Sequence, residues 1–352
     1  MPQHDSVVRR VGVIGASGYT GAELLRLLHG HPNLDVVIAT GDSKAGTRIA
    51  DLYPSLAAAY GDQKYDSFTP DAVDGLDLVF CGLPHGVSQG VVPEVRGRVG
   101  HIIDLGSDFR LHDKDLYPVW YGAEHEHPAL LDDFVYGLPE LFRDDIAGAE
   151  LIAATGCNAA TSVFALAPLL DAGLVSGEGM IIDLITGVSG AGRPPKENTT
   201  FCTVDENATA YGLLTHRHTP EIEQALTERT GLAASVLFTP HLVPMNRGIL
   251  ATCYARPTQD GLTSEGVLDA MRLFYADEPF IVVDERSPST KATLGSNAVH
   301  LTARVDPRTG HVVAMAALDN LMKGASGMAV QCANLALGIP ETTGLSSIGV
   351  YP

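Results

Sequence analysis

Short apolar runs alternate with amphipathic stretches in the first part of the chain. Residues 11–15 (VGVIG) read as a buried parallel strand, residues 22–28 (AELLRLL) as a helix and residues 35–40 (DVVIAT) as a second strand. Residues 76–81 (LDLVFC) and 101–105 (HIIDL) are further short apolar runs. Strand, helix and strand at this spacing predict an α/β fold, a Rossmann-type doubly wound parallel sheet. After about residue 155 the pattern changes. Residues 158–170 (NAATSVFALAPLL) read as a helix opening directly after Cys157, and residues 180–185, 235–238, 248–254, 300–305 and 311–318 are strand-like runs with long connections. They predict an α+β domain with a mixed, largely antiparallel sheet. Residues 326–337 (SGMAVQCANLAL) read as a helix stopped at Gly338, with Pro340 beyond. The expected division is 1–155 and 156–323, with 324–352 returning to pack on the first domain.

Composition narrows the class. The 352 residues are 45% hydrophobic and 18% charged, so a large core is available. No run reaches the ~18 apolar residues of a membrane helix, and residues 1–10 lack an apolar signal core, which predicts a cytoplasmic protein with no membrane association. The five cysteines are odd in number and widely scattered, against a disulfide framework or a structural zinc site. A net charge of −19 excludes nucleic acid as a partner but leaves room for an anionic small molecule held by a few arginines.

Candidate chemistry sits at three places. Gly15, Gly18 and Gly21, with Ser17, Tyr19 and Thr20 between them, follow the first strand and open the first helix. Such a turn lets the backbone approach a pyrophosphate that faces the helix N-terminus. The second strand ends without an immediate acid; Ser43 and Lys44 beyond it suit a 2′-phosphate and point to NADP(H), although Asp42 stands beside them. Cys157 follows Gly156 at the start of a helix, where free N–H groups and the macrodipole favour a thiolate. The other four cysteines do not share this setting. In Thr215–Ile222 (THRHTPEI), Thr219 is expected to cap a helix with Pro220 at its first position, leaving His218 just before it and Glu221 reaching back to orient the ring. His216 and His218 have no third ligand at a characteristic spacing, so no metal is expected. Arg110, Arg193 and Arg247 are candidate cations for a phosphate.

With these residues in view, the sequence resembles the N-acetyl-gamma-glutamyl-phosphate reductase family. The likeness is carried by GASGYTGAELLRLL (15–28), LPHG (83–86), DLGSDFRL (104–111), YGLPEL (136–141), GVSGAGR (187–193), AYG and HRHTPEI (210–222), RGIL (247–250), GSNA (295–298) and DNLMKGASG (319–327). The resemblance implies NADPH-dependent reduction of N-acetyl-glutamyl 5-phosphate to the 5-semialdehyde through a thioester on Cys157, in arginine biosynthesis. It implies His218 as acid/base with His216 and Glu221 in support, Arg110 as a phosphate contact, and donors near Asn158 holding the oxyanion. Ser17 to Thr20, Pro84, Ser189, Gly190 and Asn320 are implied to lie near the cofactor. By the same resemblance, 1–155 is an NADP-binding domain, 156–323 a catalytic and oligomerisation domain, and the protein a homodimer or homotetramer.

One stretch departs from the family. Thr155-Gly156-Cys157-Asn158-Ala159 replaces the usual proline-glycine-cysteine followed by an aromatic residue and proline. It looks more like the related lysine-pathway reductases, whose aminoadipyl (or glutamyl) phosphate rides on a carrier protein. Residues 187–207 look like the arginine enzymes, and a chain of charge −19 repels an acidic carrier. Two further readings stay open: aspartate-semialdehyde dehydrogenase, and a non-catalytic NADP-binding regulator on the same fold.

Overall fold

The computed structural model describes residues 7–352. The chain forms two compact units. The first comprises the chain up to His112, His125–Thr155 and Ala325–Leu345, and the second comprises Asp113–Glu124, Gly156–Gly324 and Ser346–Pro352. Two short segments therefore group otherwise than the sequence reading placed them. Residues 113–124 leave the first unit. The terminal segment 346–352 stays with the second, because Asn297 N donates to Ser346 O and Val350 N to Leu294 O, each at 2.7 Å.

The first unit carries a six-stranded, wholly parallel sheet in the order β2-β1-β3-β4-β6-β5. Its strands are β1 (Arg9–Ile14), β2 (Leu34–Ala39), β3 (Leu78–Cys81), β4 (His101–Asp104), β5 (Val135–Gly137) and β6 (Leu151–Ala154). β3 is apolar and fully buried, and β1 and β4 are buried over residues 11–14 and 102–104, as strands covered on both faces must be. Connections leave β1 toward β2 on one flank and reach β3 on the other, so the crevice at the carboxyl ends of β1 and β3 is the expected ligand position. Helix Tyr19–His29 buries Leu24, Leu25, Leu27 and Leu28. Helix Gly327–Ala336 belongs to this unit too. Asn334 Oδ1 lies 3.0 Å from His31 Nε2, and Ser326 Oγ donates to Thr20 O at 2.8 Å.

The second unit holds a seven-stranded mixed sheet, β11-β12-β13-β10-β7-β9-β8. Its strands are β7 (Met180–Gly187), β8 (Thr209–Ala210), β9 (Val236–Val243), β10 (Ile249–Ala255), β11 (Ile281–Val283), β12 (Val299–Val305) and β13 (Val312–Leu318). Only β7 with β9 and β11 with β12 run parallel; the other pairs are antiparallel. Helix Cys157–Asp171 is buried on every side from Asn158 to Leu170, which explains a sequence too apolar to be amphipathic. It packs on β10 and β13 beside helices His218–Thr230 and Ser264–Phe274. β10 turns Ile249, Ala251, Cys253 and Ala255 toward this core, while Ile181, Leu237 and Val282 stand exposed on the opposite face of the sheet.

Candidate active site

In the first unit the glycine turn has the geometry that a dinucleotide requires. Gly15 has φ +82°, and a Cβ there would lie 2.4 Å from Gly82 O at the end of β3, so only glycine lets the two loops meet. A Cβ on Gly21 would lie 2.5 Å from Ala16 Cα, whereas Gly18 faces little more than Gly15 O at 3.7 Å, leaving the first turn of the helix approachable. No side chain caps Gly18, and Tyr19 is the first helical residue, three earlier than the sequence reading placed it. Thr40 Oγ1 accepts Gly15 N at 3.2 Å, Ser17 Oγ donates to Gly41 O at 3.2 Å and Tyr53 donates to Ser17 O at 2.9 Å, so two segments brace the turn. Ser43 and Lys44 lie in a short helical turn, Asp42–Lys44, directly after β2. Arg48 is engaged by Asp62 at 2.7 Å, while among the described residues no carboxylate pairs with Lys44.

Pro84 follows β3 on an exposed loop, beside a cluster that sequence reasoning missed. Asp108, fully buried, lies 2.6 Å from His85 Nδ1 and accepts Gly86 N at 2.8 Å. The hydrogen bonds from His85 and Gly86 keep its carboxyl below the ordinary range despite burial. Arg110 is buried in the same loop, donating from Nε to Ala154 O (2.8 Å) and from Nη2 to Leu105 O (2.9 Å). It is thus anchored on the carboxyl ends of β4 and β6.

The nucleophile candidate lies in the second unit. Cys157 is the first residue of its helix, and the N-cap is Gly156, which has no side chain to cap the helix. A closed circuit of contacts surrounds it. Cys157 Sγ lies 3.6 Å from Asn158 Oδ1, and Asn158 Nδ2 donates to the Tyr211 hydroxyl at 3.1 Å. The Tyr211 and His216 rings meet edge to face at 5.4 Å. His216 Nδ1 accepts His218 N at 3.1 Å, and His218 Nε2 lies 3.9 Å from Glu221 Oε2. Glu221 Oε1, fully buried, accepts Gly156 N at 2.6 Å and closes the loop beside Cys157.

Two local details differ from the sequence reading. The helix runs His218–Thr230 with Arg217 as N-cap, so His218 begins it and Pro220 is its third residue. Proline lacks only an N–H that the first turn leaves unpaired anyway, so it does not delay the helix. His218 and Glu221 are therefore three apart on one helical face. At 3.9 Å their contact is electrostatic, and the short hydrogen bond that Glu221 accepts comes from Gly156, beside Cys157. Burial, with Arg217 adding to it, holds His216 down to about 4, so its ring is neutral near pH 7. Burial likewise pushes Tyr211 up to about 12.

The remaining cysteines have a different setting. Burial drives the Cys81 and Cys253 thiols upward; Cys332 is buried and Cys202 exposed. Asn320 ties several predicted residues together: its Oδ1 accepts Gly248 N at 2.8 Å and its Nδ2 donates to Ser189 Oγ at 2.9 Å. Asp319, also missed from sequence, accepts Gly295 N at 2.7 Å and lies 3.4 Å from Arg247. Gly190 and half-buried Arg193 lie in the loop after β7 that carries Ser189. Tyr211 and Asp319 stand inside stretches that carry the family likeness, which was the one available signal for them. Among the described residues no three His, Cys, Asp or Glu side chains group as metal ligands, and no helix is long and apolar enough to cross a membrane.

Comparison with known proteins agrees with this architecture. The family descriptions "Semialdehyde dehydrogenase, NAD binding domain" and "Semialdehyde dehydrogenase, dimerisation domain" match residues 10–149 and 157–320. A solved aspartate semialdehyde dehydrogenase II from Vibrio cholerae superposes with TM-score 0.70 at 18% identity, covering 95% of this chain and 99% of that one. The enzyme from Candida albicans, solved with NADP, has TM-score 0.70 at 17% identity over 94% and 100%. These likenesses show the fold. Among curated proteins, N-acetyl-gamma-glutamyl-phosphate reductase of Symbiobacterium thermophilum is 48% identical over 97% of this chain and 99% of its own length. That of Jannaschia sp. is 46% identical over 98% and 100%. On identity of this extent across both units, the chain belongs to the N-acetyl-gamma-glutamyl-phosphate reductase family.

Proposed function

We propose that the protein reduces N-acetyl-L-glutamyl 5-phosphate to N-acetyl-L-glutamate 5-semialdehyde and phosphate with NADPH, in arginine biosynthesis. The observation that carries the mechanism is the closed circuit through Cys157, Asn158, Tyr211, His216, His218 and Glu221, since a thiol, two imidazoles and a buried carboxylate share a single network. His216 is neutral, accepts through Nδ1 and packs against aromatic rings, so His218 is the acid/base and His216 its support. Glu221 positions both partners, through Gly156 on one oxygen and beside His218 on the other.

In this reading His218 takes the proton from the Cys157 thiol, and the sulfur attacks the acyl carbon. The carbon–oxygen bond to phosphate breaks, and His218 passes its proton to the departing phosphate. N–H groups at the start of helix Cys157–Asp171 face the developing oxyanion, with Asn158 beside them. Bound nicotinamide cofactor supplies the hydride that reduces the thioester. Release of the aldehyde then leaves Cys157 as thiolate. The turn at Gly15–Gly21 fits a pyrophosphate, Ser43 and Lys44 fit the 2′-phosphate of NADP, and Pro84 lies on a loop of the same unit. Arg193 and Arg247, in the unit that holds Cys157, supply cations for the substrate's phosphate and α-carboxylate. The exposed Ile181, Leu237 and Val282 on the open sheet face are consistent with a homodimer or homotetramer. Five free cysteines are consistent with a cytoplasmic site of action.

The test is phosphate-dependent reduction of NADP by N-acetyl-glutamate 5-semialdehyde, comparing wild type with Cys157→Ala. Activity in the former and its loss in a folded, cofactor-binding variant are expected. A folded wild type that binds NADP but turns over only a carrier-linked acyl phosphate would replace the small substrate. Undiminished turnover by Cys157→Ala would end the thioester reading.

A further inference from the structure

We propose that the π-turn Met322–Ser326 sets the position of Cys157, with Gly324 as the positioning residue. The proposal rests on the reading of Cys157 as nucleophile. Gly324 N donates to Asp319 O at 3.0 Å, five residues back, which makes this turn wider than an α-helical one. The width brings the Gly324 backbone against the first residue of helix Cys157–Asp171. A Cβ on Gly324 would lie 2.7 Å from Cys157 Cβ, 3.3 Å from Cys157 Cα and 3.3 Å from Leu318 Cδ1. Neither Cys157 atom is the far end of a flexible side chain, so no rotamer change relieves the overlap. Bare peptide at 324 thus backs the nucleophile, and the Cα–Cβ bond of Cys157 has no space behind it.

Two clamps hold the turn in register. Asp319 Oδ1 accepts Leu321 N at 2.9 Å and Met322 N at 3.2 Å, fixing the approach to the turn. The Lys323 side chain is fully buried, with its ammonium 5.6 Å over the Phe164 ring and 5.3 Å over the Phe280 ring. Phe164 lies seven residues after Cys157, about two turns along the same helix. The π-turn therefore meets that helix at two points, Cys157 through Gly324 and Phe164 through Lys323. A nucleophile held this way keeps its sulfur in a constant relation to the oxyanion donors of its own helix start. A displacement of about 1 Å in such a site costs on the order of 100-fold in rate.

The experiment is Gly324→Ala, read by steady-state kinetics, by NADP affinity and by the pH dependence of Cys157 alkylation with iodoacetamide. The expected result is a fall in kcat of about 10- to 100-fold, a cofactor dissociation constant within about twofold of wild type, and an altered alkylation profile. A kcat within twofold together with a superimposable alkylation profile overturns the proposal. A stability cycle keeps the question answerable if the variant folds poorly. In a Cys157→Gly background the atom that the new methyl meets is gone, so Gly324→Ala lowers the melting temperature less than it does in wild type. An equal loss in both backgrounds overturns the contact as the cause. Cys157→Ser separates the two readings: wild-type turnover by that variant removes the nucleophile assignment, while the stability cycle still decides whether Gly324 places residue 157.

Discussion

Asp104 offers a test of the electrostatics beneath the first unit's ligand-facing loops. It ends β4, is fully buried, and accepts Ser88 Oγ at 2.8 Å and Gly106 N at 2.9 Å on one oxygen. Among the described residues its other oxygen has no hydrogen-bond partner. Burial raises its pKa from 3.8 to about 6, against the lowering effect of the Ser88 and Gly106 hydrogen bonds. A carboxyl whose folded value lies above its unfolded one holds its proton more tightly in the folded state. Its contribution to stability is therefore intact below pH 4 and is lost as the pH rises through about 6. The separation of about two pH units, at about 1.4 kcal/mol each, amounts to about 3 kcal/mol. Asp104→Asn keeps an acceptor for Ser88 and Gly106 and removes the charge. Its buried amide hydrogens lower the whole curve by about 1–3 kcal/mol at every pH, so the diagnostic is the change with pH. Guanidinium unfolding of wild type and variant, followed by far-UV circular dichroism from pH 4 to 8, measures it. The variant gains about 3 kcal/mol relative to wild type between pH 4 and 7. A difference that stays flat across this range would falsify the assignment of a buried, proton-retaining Asp104.

His216 runs the other way: its pKa is depressed to about 4 by burial, so the stability it contributes is present above pH 6.5 and lost as the pH falls toward 4. The deficit of His216→Gln is accordingly larger at pH 7 than at pH 4 by about 3 kcal/mol, and fluorescence of Trp120, the single tryptophan and a residue of the same unit, reports it; a pH-independent deficit contradicts this. Glu221→Ala leaves the Gly156 N–H without its 2.6 Å acceptor and lowers stability by about 1–3 kcal/mol, whereas Glu221→Gln retains an acceptor and loses mainly turnover, by at least about 10-fold. Equal destabilisation by the two substitutions counts against the Glu221–Gly156 bond as the structural contact. Lys44→Ala weakens NADP by about 10-fold and leaves NAD nearly unchanged, the loss of one charge-assisted contact; parallel weakening of both cofactors, measured by titration, removes Lys44 from the 2′-phosphate site.

Elements with strong local determinants were legible in the chain itself. The apolar runs of β1 and β2, the glycines between them and the unbroken apolar stretch of residues 158–170 each carry enough residues to define a strand, a turn or a buried helix. β8 has only two residues, and β5 and β11 three each, too few for any period to register. The start of helix His218–Thr230 was misplaced because Thr219-Pro220 is a strong capping signal, while the turn before it was already helical at Arg217. Strand order was not readable because it depends on pairings between distant segments, such as β7 with β9 across the residues of β8 and a helix.

The site divides along the same line. Cys157, His218 and Glu221 could be singled out because each sits in a short segment with its own logic: a cysteine at a helix start, and an imidazole with a carboxylate one turn away. What joins those segments has no local signature. Glu221 reaches Gly156 across 65 residues, Tyr211 reaches Asn158 across 53, and Gly324 meets Cys157 only because the preceding turn is one residue wider than an α-turn. These contacts all converge on the two residues flanking the thiol and on the bond behind it. A cysteine at a bare helix N-terminus is merely ionisable, whereas this one is held by the residue before it, the residue after it and the backbone behind it. The position of Cys157, the proposed nucleophile, is therefore set by contacts from Glu221, Tyr211 and Gly324, which are distant from it in the primary structure, and substitutions at any of the three alter the behaviour of Cys157 without touching its sulfur.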